Sequence, residues 1–328
     1  MIEIFKTDVN KKLQPITEEL FLSPEYEIKD SWINLVNPSD KEVALISKIS
    51  GIEDDVLKAA LDSEERSRIE TEDDYALVLV DIPVIEEEDD YYSYFTIPLG
   101  VLVKENLIIT VCLKDTSVIR DFIRNRVKGF STSMKSKFMF QILNNVASKF
   151  IAYLKQIDKA SQRIQNELHK STRNKELIQM LDLENSLLYF STSLAGNDAV
   201  ITKLMNSKGK LGEFLKIYED DRDILEDVSI ETKQAIEMSS IYRNIISTTS
   251  ETFASVISNN LNVVMKVLTS VTLIISIPTL IASIWGMNTW VPFQTGSVLD
   301  KAGFFIVVGI SLICTIIATI ILKKKKLL

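Results

Sequence analysis

The chain has 328 residues, of which 46% are hydrophobic and 25% are charged, and its formal net charge is −8. This length allows two or three structural units, and its two cysteines, Cys112 and Cys314, indicate no disulfide framework. We expect no nucleic-acid partner and no organic cofactor. The average composition is that of a globular protein, but the hydrophobic residues are unevenly placed along the chain.

Residues 1–130 are predicted to form a cytoplasmic α/β domain. A capping box at Ser39–Glu42 predicts the start of a helix, and Asp115–Ser117 is a candidate cap for a second one. The acidic run Glu86–Asp90 predicts a solvated hairpin loop, with metal binding as an alternative. Strands are predicted for three β-rich runs: Tyr75–Ile85, Tyr94–Val103 and Leu107–Cys112.

The middle of the chain is predicted to be a stalk of long helices. No proline occurs between Pro98 and Pro278, and the helical stretches are 131–170, 173–206 and the run from 213 onward. This last helix has no stop before Trp285, and at 1.5 Å per residue it would be about 110 Å long, more than any bilayer needs. We assign 131–261 to the cytoplasmic stalk.

Two uncharged runs near the end of the chain predict membrane spans. The first runs from Val267 to Leu299 and the second from Ala302 to Leu322, and a span needs about 20 apolar residues. We predict a first span over 262–288, an outer loop over 289–301, a second span over 302–322 and a tail over 323–328.

Four lysines, Lys323–Lys326, follow the second span and indicate the cytoplasmic side. The first residues of the chain have no apolar region typical of a signal peptide. We therefore expect a multi-pass protein of the cell membrane, with both termini in the cytoplasm.

A polar stripe runs along the first span at alternating steps of three and four residues. In lipid, such a stripe faces protein or a water-filled cavity. It indicates either close packing of helices or a pore surrounded by several copies, in which Met265 and Leu268 could form an apolar gate. The stripe consists of Asn262, Met265, Thr269, Thr272, Ser276, Thr279, Ser283 and Gly286.

The chemistry of the stripe favours an ion that keeps its water. Zinc, nickel and copper prefer imidazole and thiolate ligands, in which the chain is poor, since its one histidine, His169, lies in the cytoplasmic part. Mg²⁺ dehydrates reluctantly and is often held through its waters. A ring of asparagine side chains could bind such an ion in its outer shell.

The end of the first span carries a resemblance to a known family. Gly286, Met287 and Asn288 end that span, the stretch Asn262–Thr269 lies at its other end, and a lysine-rich tail follows the second span. In these features the chain resembles the CorA magnesium-channel family. The resemblance implies a funnel-shaped homopentamer with the long helix lining the pore. It also implies Mg²⁺ uptake, often with Co²⁺ or Ni²⁺ tolerated.

The resemblance also implies roles for individual residues. Gly286, Met287 and Asn288 would form the outer selectivity filter, with the Asn288 side chains binding a hydrated cation. Thr279 and Asn262 would be polar pore rings, and Met265 and Leu268 the hydrophobic gate. Further along the path, Glu251 would be an acidic pore residue and Asp227 would bind regulatory Mg²⁺ between subunits, although a solvated helix face also explains Asp227.

The outer loop departs from the family. Many members carry acidic residues there, whereas Thr289–Ser297 has none, so that cations should be attracted to the mouth less strongly. Two alternatives stay open: a zinc or other divalent cation transporter of the same fold, and a non-conducting membrane scaffold. An enzyme is not expected, because the sequence has neither an HExxH motif nor a P-loop.

Overall fold

The computed structural model divides the chain into two compact units, Met1–Ser250 and Glu251–Leu328. The structure describes residues 1–8, 12–21, 23, 26–88, 91–168, 174–207, 211, 215, 218–287, 291, 299–325 and 327.

The first unit contains a mixed β-sheet of seven strands among the residues described. The strand order is β2-β1-β3-β7-β6-β5-β4, and β3 and β7 are parallel while the other neighbours are antiparallel. The three predicted strands are confirmed, and two of them are longer than predicted. The strands are β1 (Ile2–Thr7), β2 (Leu13–Ile16), β3 (Ser31–Val36), β4 (Arg68–Thr71), β5 (Tyr75–Glu88), β6 (Tyr91–Lys104) and β7 (Leu107–Cys112).

Short helices accompany the sheet, and their caps test two sequence predictions. The box at Ser39 is confirmed, because Glu42 N donates to Ser39 Oγ at 3.4 Å and Ser39 N donates to Glu42 Oε2 at 2.7 Å. The second cap is wrong in its chemistry, because Thr116 occupies the cap position but its side chain makes no capping bond. Asp115 instead accepts from Arg120 Nε at 2.6 Å. These helices are α1 (Glu18–Phe21), α2 (Asp40–Ser50), α3 (Asp54–Lys58), followed by a 3₁₀ turn (Ala59–Leu61), and α4 (Ser117–Ile123).

Two long helices, α5 (Lys135–Leu168) and α6 (Asn174–Met205), pack on the sheet. Both confirm helices predicted from the sequence. Asn197 of α6 is bonded to the backbone of β5, since its Nδ2 donates to Asp81 O at 2.7 Å and its Oδ1 accepts from Asp81 N at 2.9 Å. These bonds satisfy backbone groups of β5 beyond the end of β4, where no described strand pairs with β5 on that side. Burial raises the pKa of the Asp81 side chain.

The helix α7 (Glu219–Trp285) is continuous over 67 residues, with Pro278 inside it. It confirms the single long helix predicted from the sequence, although it begins at Glu219 rather than at 213. Its first part belongs to the first unit, where Glu231 Oε2 accepts from Ser148 Oγ at 2.7 Å.

The second unit contains the rest of α7 and the helix α8 (Leu299–Lys324), which extends the predicted second span at both ends. By length and composition, the stretches Asp221–Trp285 and Gly303–Lys324 are each long and apolar enough to cross a membrane. The first of these stretches includes the charged part of α7, and its apolar part lies within the predicted first span, 262–288, of which residue 288 lies outside the described residues.

Candidate functional site

Every residue of the polar stripe is exposed in the single chain. Its one large apolar member, Met265, is 51% exposed, and the neighbouring gate candidate Leu268 is 57% exposed. A polar helix face left open to lipid is unfavourable, because its groups lose their partners there. The stripe is therefore a surface that requires either another protein surface or water.

The opposite face of α7 is the one that is covered. The buried or half-buried positions of this stretch include Ser270, Ile274, Ile281 and Trp285. At about 100° per residue, these positions centre roughly 180° from the centre of the stripe. Packing within one chain therefore does not account for the stripe. The stripe pattern missed Ser270, since this serine lies about 100° around the helix from Thr269 and therefore outside the stripe.

Three hydroxyl groups of the stripe are oriented by their own helix. Thr272 Oγ1 donates to Leu268 O at 2.9 Å, Ser276 Oγ donates to Thr272 O at 2.8 Å, and Thr279 Oγ1 donates to Ile275 O at 2.9 Å. Each hydroxyl proton is thus used within the helix, while the oxygen keeps its capacity to accept. Such a face can accept hydrogen bonds from the water shell of a cation.

The last turn of α7 leads into the predicted selectivity filter. Gly286 N donates to Ala282 O at 2.9 Å and Met287 N donates to Ile284 O at 3.3 Å, which tightens the turn. A Cβ atom on Gly286 would lie 3.3 Å from Ala282 O, a close approach that favours glycine. Met287 is 52% exposed. Asn288, predicted to bind the hydrated cation, lies outside the described residues.

The two predicted acidic sites, Asp227 and Glu251, both lie on α7 and are exposed. Among the residues that the structure describes, neither carboxylate has an ion-pair partner, and no group of three or more His, Cys, Asp and Glu side chains is placed to hold a metal ion. The predicted loop over Glu86–Asp90 is wrong for Glu86–Glu88, which belong to β5 and pair with β6. Glu86 forms an ion pair with Lys114, and residues 89–90 lie outside the described residues. Within the described part of one chain, neither Asp227 nor Glu251 therefore belongs to a ready-made metal-binding cluster.

Comparison with known proteins identifies the family. A family model described as CorA-like Mg²⁺ transporter protein matches residues 29–324, which is most of the chain. The chain belongs to the CorA family. The resemblance predicted from the Gly286–Asn288 tripeptide, the Asn262–Thr269 stretch and the lysine-rich tail is therefore confirmed.

Relatives within the CorA family span nearly the same length. The cobalt/magnesium transport protein CorA of Methanocaldococcus jannaschii is 26% identical over 304 residues, which cover 89% of this chain and 90% of the relative. The magnesium transport protein CorA of Campylobacter jejuni is 25% identical over 313 residues, which cover 90% of each.

A solved structure of a CorA protein has the same fold. The complete structure of the CorA magnesium transporter from Methanocaldococcus jannaschii matches with a TM-score of 0.78 at 24% sequence identity, covering 98% of this chain and 97% of that one. The predicted architecture, an α/β domain followed by a long helical stalk and two C-terminal helices, is thereby confirmed.

Proposed function

We propose that this chain forms a passive divalent cation channel whose main cargo is Mg²⁺. One observation carries the proposal: every residue of the polar stripe of α7 is exposed, with the protons of Thr272, Ser276 and Thr279 used within the helix, opposite the covered face. Several copies arranged with their stripes inward would enclose a path lined by hydrogen-bond acceptors. Such a path suits a cation that moves with its water, because the water protons point outward from the ion.

The chemistry of the path favours Mg²⁺ over softer ions. The stripe offers hydroxyls and an amide, and Mg²⁺ keeps several of its waters when proteins bind it. The relatives named above are cobalt/magnesium and magnesium transport proteins, which supports Mg²⁺ as the cargo with Co²⁺ tolerated. Asn288, where the apolar span ends, would bind the hydrated ion at the outer filter formed with Gly286 and Met287.

The proposed assembly is a homopentamer in the cell membrane, with both termini in the cytoplasm. Lys323 and Lys324 in the last turn of α8, together with Lys325 just after it, support a cytoplasmic end, because positive residues flank spans on that side. An inside-negative potential contributes about 2.3 kcal/mol per charge per 100 mV, hence about 4.6 kcal/mol for a divalent ion. This energy can drive entry without ATP.

Ion flux into vesicles containing the purified protein tests the proposed function. With an inside-negative potential, we expect Mg²⁺ and Co²⁺ to enter and Zn²⁺ to enter more slowly. Asn288→Ala should lower Mg²⁺ entry about tenfold, a usual cost of losing an outer-shell partner of a metal. Preferential Zn²⁺ entry would favour the zinc transporter, and absence of flux for all three ions would favour the scaffold. Unchanged flux in Asn288→Ala would remove the filter assignment.

Internal Mg²⁺ is proposed to close the channel by binding between subunits at Asp227. The carboxylate is exposed and has no ion-pair partner among the described residues, so a second subunit can supply the rest of a site. When Mg²⁺ is scarce, the acidic surfaces around it would repel and the stalk helices would separate. Glu251, also exposed on α7, would be a lower acidic ring of the path.

Asp227→Asn is expected to raise the internal Mg²⁺ concentration that half-inhibits influx by about tenfold, because a charged ligand becomes neutral. Flux in vesicles loaded with graded Mg²⁺ measures this shift. Glu226→Gln is the matched control, since it removes one charge from the adjacent exposed residue, about 100° around the helix. If the same internal Mg²⁺ concentration half-inhibits Asp227→Asn and the unsubstituted protein, Asp227 belongs to a solvated helix face instead.

A further inference from the structure

Among the described residues of α7 from Glu251 to Trp285, Ser270 is the most deeply buried. Its side chain is 3% exposed, whereas its neighbours Thr269 and Val271 are both exposed. Its Oγ donates to Leu327 O, in the segment after α8, at 2.8 Å. This contact joins the two helices of the second unit at the level where the proposed gate residues Met265 and Leu268 lie.

The direction of the Ser270 hydroxyl differs from that of other hydroxyls in this unit. Thr272, Ser276 and Thr279 all donate to the carbonyl four residues earlier on their own helix. Ser270 stands on the same helix and has such a carbonyl within reach in sequence, at Lys266. It donates instead to a different segment, at Leu327 O, so its hydroxyl forms a tertiary contact in place of a local one.

The acceptor of this bond is itself held in place. Leu327 N donates to Leu322 O at 3.0 Å, and Lys325 N donates to Ile321 O at 3.0 Å. Backbone bonds of this kind close the last turn of a helix and fix the direction of the residues that follow. The Leu327 carbonyl is thus attached to the end of α8, and a bond to it from Ser270 constrains α7 relative to α8.

We propose that Ser270 is a positioning residue that sets the rotation of α7 at the gate; this inference rests on the proposed channel function. At about 100° per residue, Leu268 lies about 160° around the helix from Ser270, and Met265 about 140°. Holding Ser270 against α8 therefore turns both gate side chains away from α8. In the proposed assembly that is the direction of the pore, so the bond stabilises the closed apolar ring.

A cross-link that does not depend on conduction tests the contact. Ser270→Cys and Leu327→Cys are combined in a chain whose Cys112 and Cys314 are serine, with a protease site inserted after Gln294. After mild oxidation and cleavage, we expect the two fragments to stay joined on a non-reducing gel. As a control, chains that carry only Ser270→Cys are mixed before assembly with chains that carry only Leu327→Cys. In this mixture, any cross-link between positions 270 and 327 must join two different subunits. If the fraction of cross-linked fragments is no higher than in that mixture, the proposal is overturned.

Flux at saturating internal Mg²⁺ tests the positioning role. Ser270→Ala should raise this residual flux about threefold, the equivalent of one average hydrogen bond between membrane helices. Ser270→Thr, which keeps the donor, should restore the low flux. Thr319→Val is the control, because the Thr319 hydroxyl donates within its own helix, to Thr315 O at 2.8 Å.

Two flux results would contradict the inference and are distinguishable. If the unsubstituted protein conducts and closes normally but Ser270→Ala leaks no more than Thr319→Val, Ser270 has no positioning role even where the cross-link forms. If the unsubstituted protein conducts no cation, the proposed function itself fails and the gating role fails with it. The size of the assembly in detergent, measured for each variant, excludes loss of folding as the cause of a leak.

Discussion

Ser283→Leu is expected to reduce Mg²⁺ influx by about 100-fold. Ser283 belongs to the exposed polar stripe, and one leucine from each copy would surround the proposed path with an apolar ring. Such rings exclude water, and a hydrated ion then meets a desolvation barrier. A charged group in an apolar membrane environment costs about 2.5–3.5 kcal/mol on insertion scales, which corresponds to about 100-fold or more in rate.

The adjacent residue provides a matched control for this prediction. Ala282 is also small and exposed, but it lies about 100° around the helix from Ser283. Ala282→Leu should therefore add the same volume outside the stripe and leave influx within about twofold of normal. Radioactive or fluorescent measurement of Mg²⁺ entry into vesicles compares the two. Equal losses in both variants would show that the stripe does not line the path.

Leu268→Ser is expected to produce a channel that stays conductive at high internal Mg²⁺. The side chain is 57% exposed on α7, beside the stripe, and in the assembly it would form part of the apolar gate. Replacing it with a hydroxyl lets water occupy the constriction, which removes the dewetting barrier. By the same energy scale, residual flux at saturating internal Mg²⁺ should rise about 100-fold.

Val267→Ser controls for the introduction of a serine into this part of the helix. Val267 is exposed and adjacent, but its side chain points about 100° away from that of Leu268. We expect its residual flux to stay near that of the unsubstituted protein. A leak of the same size in both variants would indicate general loosening of the helices, and no leak in Leu268→Ser would place the gate elsewhere.

Local sequence patterns predicted the helices well, because long helices repeat their signal over many turns. The capping box at Ser39 needs only residues three apart, and the structure contains it. The cap expected at Asp115–Ser117 failed for a nonlocal reason. Arg120, whose Nε binds Asp115, also reaches Glu3 of β1 with its Nη1 at 2.9 Å, and this network takes the carboxylate away from the helix start.

The sheet was harder to predict from the sequence. The strands β2 and β4 have four residues each, too few for a clear alternation of apolar and polar side chains. The parallel pairing of β3 with β7 joins Ser31 to Leu107, residues far apart in the chain. No local signal specifies such a pairing, because it is selected by burial of both strands in the interior of the sheet.

For the proposed path, sequence alone determined the two apolar helices, the polar stripe and the family. The helices and the stripe depend on composition and on the helical period, which decides which residues share a face. The family resemblance depends on short motifs such as Gly286–Asn288. Only the tertiary structure showed which face of α7 is covered, that the stripe is left open, and that Ser270 reaches Leu327. The period cannot supply that information, since the covering of a helix face depends on where another segment of the chain lies.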